Sequence, residues 1–405
     1  MSRLEFNCYL NDAFKEAAAR CGNDNFYMFT EICAKSSEVT YRGSVENLSP
    51  YFYTWKDDET YGFTMDDEDM YEGVIILPER DDCSNEEKDE QRVTKDLTYW
   101  TRETEDGRTV TPINSLAVQK QGMATHSVRA NRPTSNNHLL NGNEYHEPDY
   151  TKASGLNVID FPMHWNFNSA SGAFGVHGDD KLYNDATWNV VYVDSHDYGP
   201  SAKYEYRYDG GTDAWAENLD LMFTFRGIPC LYYGSEVEFQ AGMPIDKGSV
   251  LALKDSGRAY YGDYLEGNVV ASDFGEYSES GTTGAVKTTL EKPLCQHIMR
   301  LNKIRRAIPA LQKGQYSTEN CGSGGMAFKR RYTDSKTDSF VLVTISSDTT
   351  FTGLPAGTYV DAITGVSKTI SEGGSITTSG CTKGNMRIYV LDGPGKIGEN
   401  TAWLK

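Results

Sequence analysis

The stretch that most constrains this chain is Val190-Val191-Tyr192-Val193-Asp194-Ser195-His196-Asp197. A β-branched apolar run stops in a His-Asp pair, and the turn residues Tyr198, Gly199 and Pro200 follow. A short apolar run closed by turn signals reads as a buried strand. Polar groups just beyond a buried parallel strand are where α/β enzymes place their chemistry. A plain loop carboxylate that caps the next segment is the simpler alternative. Phe26-Tyr27-Met28-Phe29-Thr30-Glu31 repeats the pattern, an apolar strand ending in a carboxylate.

The rest of the chain alternates in the same manner. Leu4, Leu10, Phe14, Ala17 and Ala18 form an apolar stripe, and Cys21-Gly22 ends that helix. Strands are expected at Phe26–Thr30, Leu156–Pro162, Val190–Asp194 and Gly227–Gly234. Thr212–Phe225 reads as a helix with Trp215, Leu219, Met222 and Phe223 on one side. Another helix opens at Pro293, where a missing N–H costs nothing. It turns Leu294, Ile298, Leu301 and Ile304 inward and Arg300, Arg305 and Arg306 outward. From about residue 316 only short apolar runs separated by Gly, Ser and Asp remain, which is an antiparallel β pattern. Two domains are therefore expected, 1–315 and 316–405, with a polar insert at about 44–154.

Charge narrows the partners. The net charge is −19, which argues against nucleic acid and against an anionic membrane. Residues 57–106 hold 19 acidic and 5 basic side chains, so most of the excess lies in the insert. Such a segment reads as a solvated face before it reads as a cation site. The eight cysteines include no C-x-x-C pair, which argues against a zinc ribbon or a thioredoxin-like motif. Cys321 and Cys381 flank the β-rich region and are candidates to pair. No apolar run reaches the roughly 18 residues of a membrane span. The first residues do not read as a secretory signal. Twenty-six tyrosines suit a sugar or peptide surface, where rings stack and hydroxyls hydrogen-bond, and equally suit an ordinary core.

If the parallel strands belong to one barrel, Glu31 and Asp197 open onto the same face. Two carboxylates at one cleft meet the requirement of glycoside hydrolysis: one protonates the leaving oxygen and the other handles the cationic ring carbon. His196 can donate a hydrogen bond to a sugar hydroxyl. Trp165 and Tyr198 each follow a strand end and offer flat faces for sugar rings.

Val193-Asp194-Ser195-His196-Asp197 resembles the seventh-strand motif of the α-amylase family, glycoside hydrolase family 13. Met28-Phe29-Thr30-Glu31 resembles the fifth-strand motif that carries that family's general acid, and Arg226-Gly227-Ile228-Pro229-Cys230-Leu231-Tyr232-Tyr233-Gly234 is similar to its eighth strand. Ile159-Asp160-Phe161-Pro162 falls where the sixth belongs. The resemblance implies the fifth to eighth strands of a (β/α)₈ TIM barrel, a partial barrel, followed by an antiparallel β-sandwich. It implies a retaining α-1,4-glucan hydrolase in which Glu31 is the acid/base and Asp197 stabilises the transition state. It also implies an extracellular location.

Thr30 and Ser195 depart from the family's usual Gly and Asn without removing a charge. The larger departure is the nucleophile, an Asp in an Arg-x-Asp pattern after the fourth strand. The two matches here, Arg80 to Asp82 and Arg207 to Asp209, do not follow a buried strand. The expectation is therefore a chain cut before its nucleophile, with the family's calcium ligands upstream of Met1, no cofactor of its own, and a missing N-terminal barrel half as a possible partner. A glucanotransferase of the same fold, or a non-catalytic α-glucan-binding or assembly protein, are the alternatives.

Overall fold

The computed structural model describes residues 17, 18, 20–22, 27–31, 38–41, 44–47, 102–103, 109–110, 156–182, 186–197, 199–203, 205–245, 281–323, 325–333, 336–398 and 404. Most of the acidic insert lies outside them. The described residues form two compact units. One holds the strands up to Ile159 together with Asp179–Ala186; the other holds Asp160–Gly178 and Thr187–Lys405.

In the first unit β1 (Met28–Thr30) runs parallel to β6 (Leu156–Val158), with Met28 opposite Leu156 and Thr30 opposite Val158. The antiparallel hairpin β2 (Glu38–Tyr41) and β3 (Ser44–Asn47) and the short pair β4 (Arg102–Glu103) and β5 (Thr109–Val110) lie between them in sequence.

The strand expected over Leu156–Pro162 ends early. Asp160 is the N-cap of helix α1 (Phe161–Asn166), and its Oδ1 accepts from the Met163 amide at 3.0 Å. Pro162 then sits in the first turn, where no N–H is needed. The Asp160 amide donates to Val190 O at 2.8 Å. Helix α2 (Ala170–Gly175) follows, capped by the Ser169 hydroxyl on the Gly172 amide.

In the second unit β7 (Val190–Val191) is parallel to β8 (Ile228–Pro229). Both are shorter than expected, because only two residue pairs meet before the chains turn. The residues after β7 stay buried even so: Tyr192, Val193 and Asp194 are each at most 6% exposed. Helix α3 (Thr212–Thr224) matches its sequence period, and Trp215, Leu219, Met222 and Phe223 are all buried. A short helix α4 (Gly284–Leu290) precedes α5 (Pro293–Ala307) and α6 (Pro309–Lys313).

Leu294, Ile298, Leu301 and Ile304 of α5 face the core as expected, but two of the three arginines do not face water. Arg300 is buried and donates to Ile363 O at 2.9 Å and Ile397 O at 3.2 Å. Arg305 donates to Phe223 O at 2.7 Å and Gly227 O at 3.0 Å. Their guanidinium groups satisfy carbonyls that the helix period cannot reveal.

The C-terminal part is a six-stranded antiparallel sheet in the order β14-β13-β16-β11-β10-β9. Its strands are β9 (Gln315–Ser317), β10 (Met326–Thr333), β11 (Asp338–Ile345), β13 (Gly357–Asp361), β14 (Ser367–Ile370) and β16 (Met386–Leu391). A second sheet of two strands, β12 (Thr350–Leu354) and β15 (Gly374–Thr377), packs on it. Side chains alternate between the faces of a strand, so β11 serves two cores. Phe340 and Leu342 pack with Phe351, Leu354, Tyr359, Ile376 and Tyr389. Val341 and Val343 join Phe328, Ile388 and Val390 in the core that also holds Trp215, Leu219, Leu301 and Ile304.

Cys321 and Cys381 do not pair. Both are buried thiols that donate to nearby carbonyls, Cys321 to Glu319 O at 3.3 Å and Cys381 to Asn385 O at 3.2 Å. Burial pushes the first up to about 12 and the second to about 11, which keeps them protonated and unreactive. Among the described residues no helix is long and apolar enough to cross a membrane.

Candidate active site at the end of β7

The apolar residues of β7 are held by the core, and the chain breaks into polar residues where it leaves that core. Val191 is fully buried and Val193 is 2% exposed. Three and four residues on, the side chains of His196 and Asp197 are 51% and 45% exposed. His196 Nε2 lies 3.2 Å from Asp197 Oδ2, so imidazole and carboxylate stand together at the rim. The Asp197 amide donates to Ser195 Oγ at 3.1 Å, a local turn that aims the pair outward. The site is thus a rigid strand, one tight turn and two exposed polar groups.

Beneath the turn lies a second, buried pair that sequence reasoning passed over. Asp194 accepts from the Tyr208 amide at 2.9 Å and has Arg207 Nε at 3.9 Å. Burial pushes its carboxyl up to about 6, against the pull of the Tyr208 amide and the Arg207 charge. Arg207 donates to Tyr233 O at 2.7 Å, and its guanidinium lies over Tyr232 at 4.9 Å, Phe239 at 5.3 Å and Tyr233 at 5.4 Å. These rings come from the segment after β8. That segment is itself conformationally taut: Glu238 and Gln240 adopt φ of +56° and +51°, which non-glycine residues avoid. Thr212 at the start of α3 donates to Glu238 Oε2 at 2.6 Å and holds the bend.

A further buried pair anchors the strand starts. Arg226 Nη1 donates to Asp160 Oδ2 at 2.5 Å, and Asn189 reaches the same oxygen at 3.2 Å. Asp160 and Arg226 are both fully buried. Asp160 is therefore structural, with its oxygens committed to a helix cap, an arginine and an amide.

No family model matches the chain. A cyclomaltodextrin glucanotransferase from Geobacillus stearothermophilus is 23% identical over 266 residues, which are 62% of this chain and 30% of that protein. An alpha-amylase from Streptomyces lividans is 30% identical over 194 residues, 44% of this chain and 19% of that protein. The chain is related to the α-amylase family over part of its length. It spans less than a third of these relatives, at most 30%. Among solved structures, the alpha-amylase from Geobacillus thermoleovorans complexed with acarbose overlaps 59% of this chain and 48% of its own, at 13% identity and a TM-score of 0.38.

His196 and Asp197 are together at the end of β7. Glu31 directly follows β1 and is exposed, in the first unit, whereas the His-Asp pair belongs to the second. Trp165 sits on α1, half-buried, with its ring edge-on to Phe161 at 5.8 Å. Tyr198 lies outside the described residues, as does the Arg80 to Asp82 match. In the other Arg-x-Asp match, Arg207 is held in its ring cage and Asp209 is exposed in the turn before α3. Neither residue follows a buried strand directly. Among the described residues no cluster of three His, Cys, Asp or Glu side chains is placed to hold a metal ion.

Proposed function

We propose that this chain acts on α-1,4-glucans such as starch and maltooligosaccharides by the retaining chemistry of glycoside hydrolases. The observation that carries the reading is the His196–Asp197 pair, 3.2 Å apart and exposed at the end of a buried parallel strand. Asp197 stabilises the oxocarbenium-like transition state, and Glu31, at the end of the other parallel pair, is the general acid/base. His196 binds a hydroxyl beside Asp197, and Trp165 and Tyr198 stack against sugar rings. In this reading β1, β6, β7 and β8 are the fifth to eighth strands of a (β/α)₈ barrel, and an extracellular location is carried over from the family resemblance. A glucanotransferase is the second reading, favoured because one of the relatives is a cyclomaltodextrin glucanotransferase.

Retaining hydrolysis also needs a nucleophilic carboxylate. Among the described residues the Arg207 to Asp209 match, in the turn before α3, does not supply one, and turnover by this chain alone is expected to be low. The test is an assay on soluble starch and maltoheptaose, with product analysis, by the chain alone and by the chain mixed with a polypeptide that supplies an Arg-x-Asp strand. Turnover that Glu31→Gln and Asp197→Asn both abolish supports the reading, and the product pattern separates hydrolysis from transfer. Turnover indifferent to both substitutions overturns the site. Binding without turnover in every mixture leaves a glucan-binding protein.

A further inference from the structure

The pair beneath the turn does more than fill space. Asp194 is the last buried residue of the β7 run, and Ser195, His196 and Asp197 follow it directly. Among the described residues its carboxylate meets the Tyr208 amide and the Arg207 guanidinium. Arg207 is itself fixed by the carbonyl of Tyr233 and by three rings that belong to the segment after β8. A single side chain therefore ties the end of β7 to the end of β8. A lysine cannot reproduce this, because a point charge has neither the planar fork nor the stacking face of a guanidinium.

We propose that Arg207 is a positioning residue that sets the place of Asp197 and His196 through Asp194. The proposal rests on Asp197 being a catalytic carboxylate, as argued above. Without Arg207 the Asp194 carboxylate loses its counter-charge while still buried, and the β7 turn loses its link to Tyr232, Tyr233 and Phe239. Active-site geometry tolerates little displacement, since a shift of about 1 Å in a reacting group can cost on the order of 100-fold in rate.

The test compares the full chain with Arg207→Met and Arg207→Lys. Amide hydrogen exchange reads the turn directly, because the Asp197 amide is bonded to Ser195 Oγ and the Tyr208 amide to Asp194 Oδ1. In Arg207→Met both amides are expected to exchange about tenfold faster, while the amides of β11 keep their protection. Arg207→Lys should lie between the two, and it decides the question if the methionine variant does not fold. Unchanged exchange at both amides, or equal acceleration throughout the second unit, overturns the proposal. On maltoheptaose, in the mixture that supplies an Arg-x-Asp strand, the methionine variant should lose about 10–100-fold in kcat with KM near that of the parent. A rise in KM alone, with kcat intact, also overturns it. If the parent chain neither binds nor turns over glucan, in any mixture, the functional reading falls. The exchange measurement still decides whether Arg207 holds the turn.

Discussion

Asp194 ties the β7 turn to pH. Its carboxyl is raised to about 6 because burial disfavours the charged form more than Tyr208 and Arg207 favour it. Between about pH 4 and pH 6 the folded chain thus holds a proton that the unfolded chain has released. More protons in the folded state mean that stability falls as pH rises. From the ordinary carboxylate value of 3.8 to about 6 the loss integrates to about 3 kcal/mol. Asp194→Asn keeps an acceptor for the Tyr208 amide and cannot titrate. Urea unfolding from pH 4 to pH 7 should show the variant gaining on the parent by about that amount as pH rises. Parallel curves would show that Asp194 titrates normally. The same residue shows what sequence could not reveal. The strand, the turn and the exposed His196–Asp197 pair are local and were legible in eight residues. The cage around Arg207 was not, because Tyr232, Tyr233 and Phe239 lie 25 to 32 positions downstream in the chain.

At the level of elements, two helices were read well and the parallel strands were read too long, while most of the helix expected before Gly22 lies outside the described residues. Thr212–Thr224 and Pro293–Ala307 follow from apolar period and an N-terminal proline, both properties of the helix itself. A strand exists only where a partner runs beside it, and the partner is not in the local sequence. The run Gly227–Gly234 therefore pairs over Ile228–Pro229 alone, and Leu156–Pro162 yields to the cap at Asp160. The β7–β8 pair depends on one residue at its start. Gly227 has φ +87°, and a Cβ there would meet Val191 Cγ1 at 2.6 Å and Asn189 O at 2.7 Å. Gly211, at the N-cap of α3, has the same φ and nothing within 4 Å. Gly211→Ala should cost only the backbone penalty, about 1 kcal/mol. Gly227→Ala adds a clash with backbone and is expected to cost about 2–4 kcal/mol. Equal losses in denaturant unfolding would mean that close approach of the two strands does not explain the glycine.

At the scale of the whole second unit, the C-terminal sheet and the helices share one interior. The inner face of β11 meets α3 and α5 through Val341, Val343, Trp215, Leu219 and Leu301, and its outer face meets β12 and β15. The site is tied to this interior as well. Tyr208, whose amide holds Asp194, places its ring edge-on to Trp215 at 4.9 Å. The change of texture near residue 316 marks a change of secondary structure and not a break in packing. Sequence could show the first, because it is a matter of period. It could not show the second, because the apolar residues of β11 look the same whatever covers them. Arg300 makes the point with a charge: it leaves α5 to bond carbonyls 63 and 97 residues away in sequence. A shared core predicts shared unfolding. Leu301→Ala, at a fully buried position of α5, should cost about 2–5 kcal/mol. Native-state hydrogen exchange should show that loss equally at the slowest amides of α3 and at those of β11. If β11 keeps its protection while α3 loses its own, the sheet is an independent folding unit. The site at the end of β7 would then be stabilised by the helices alone.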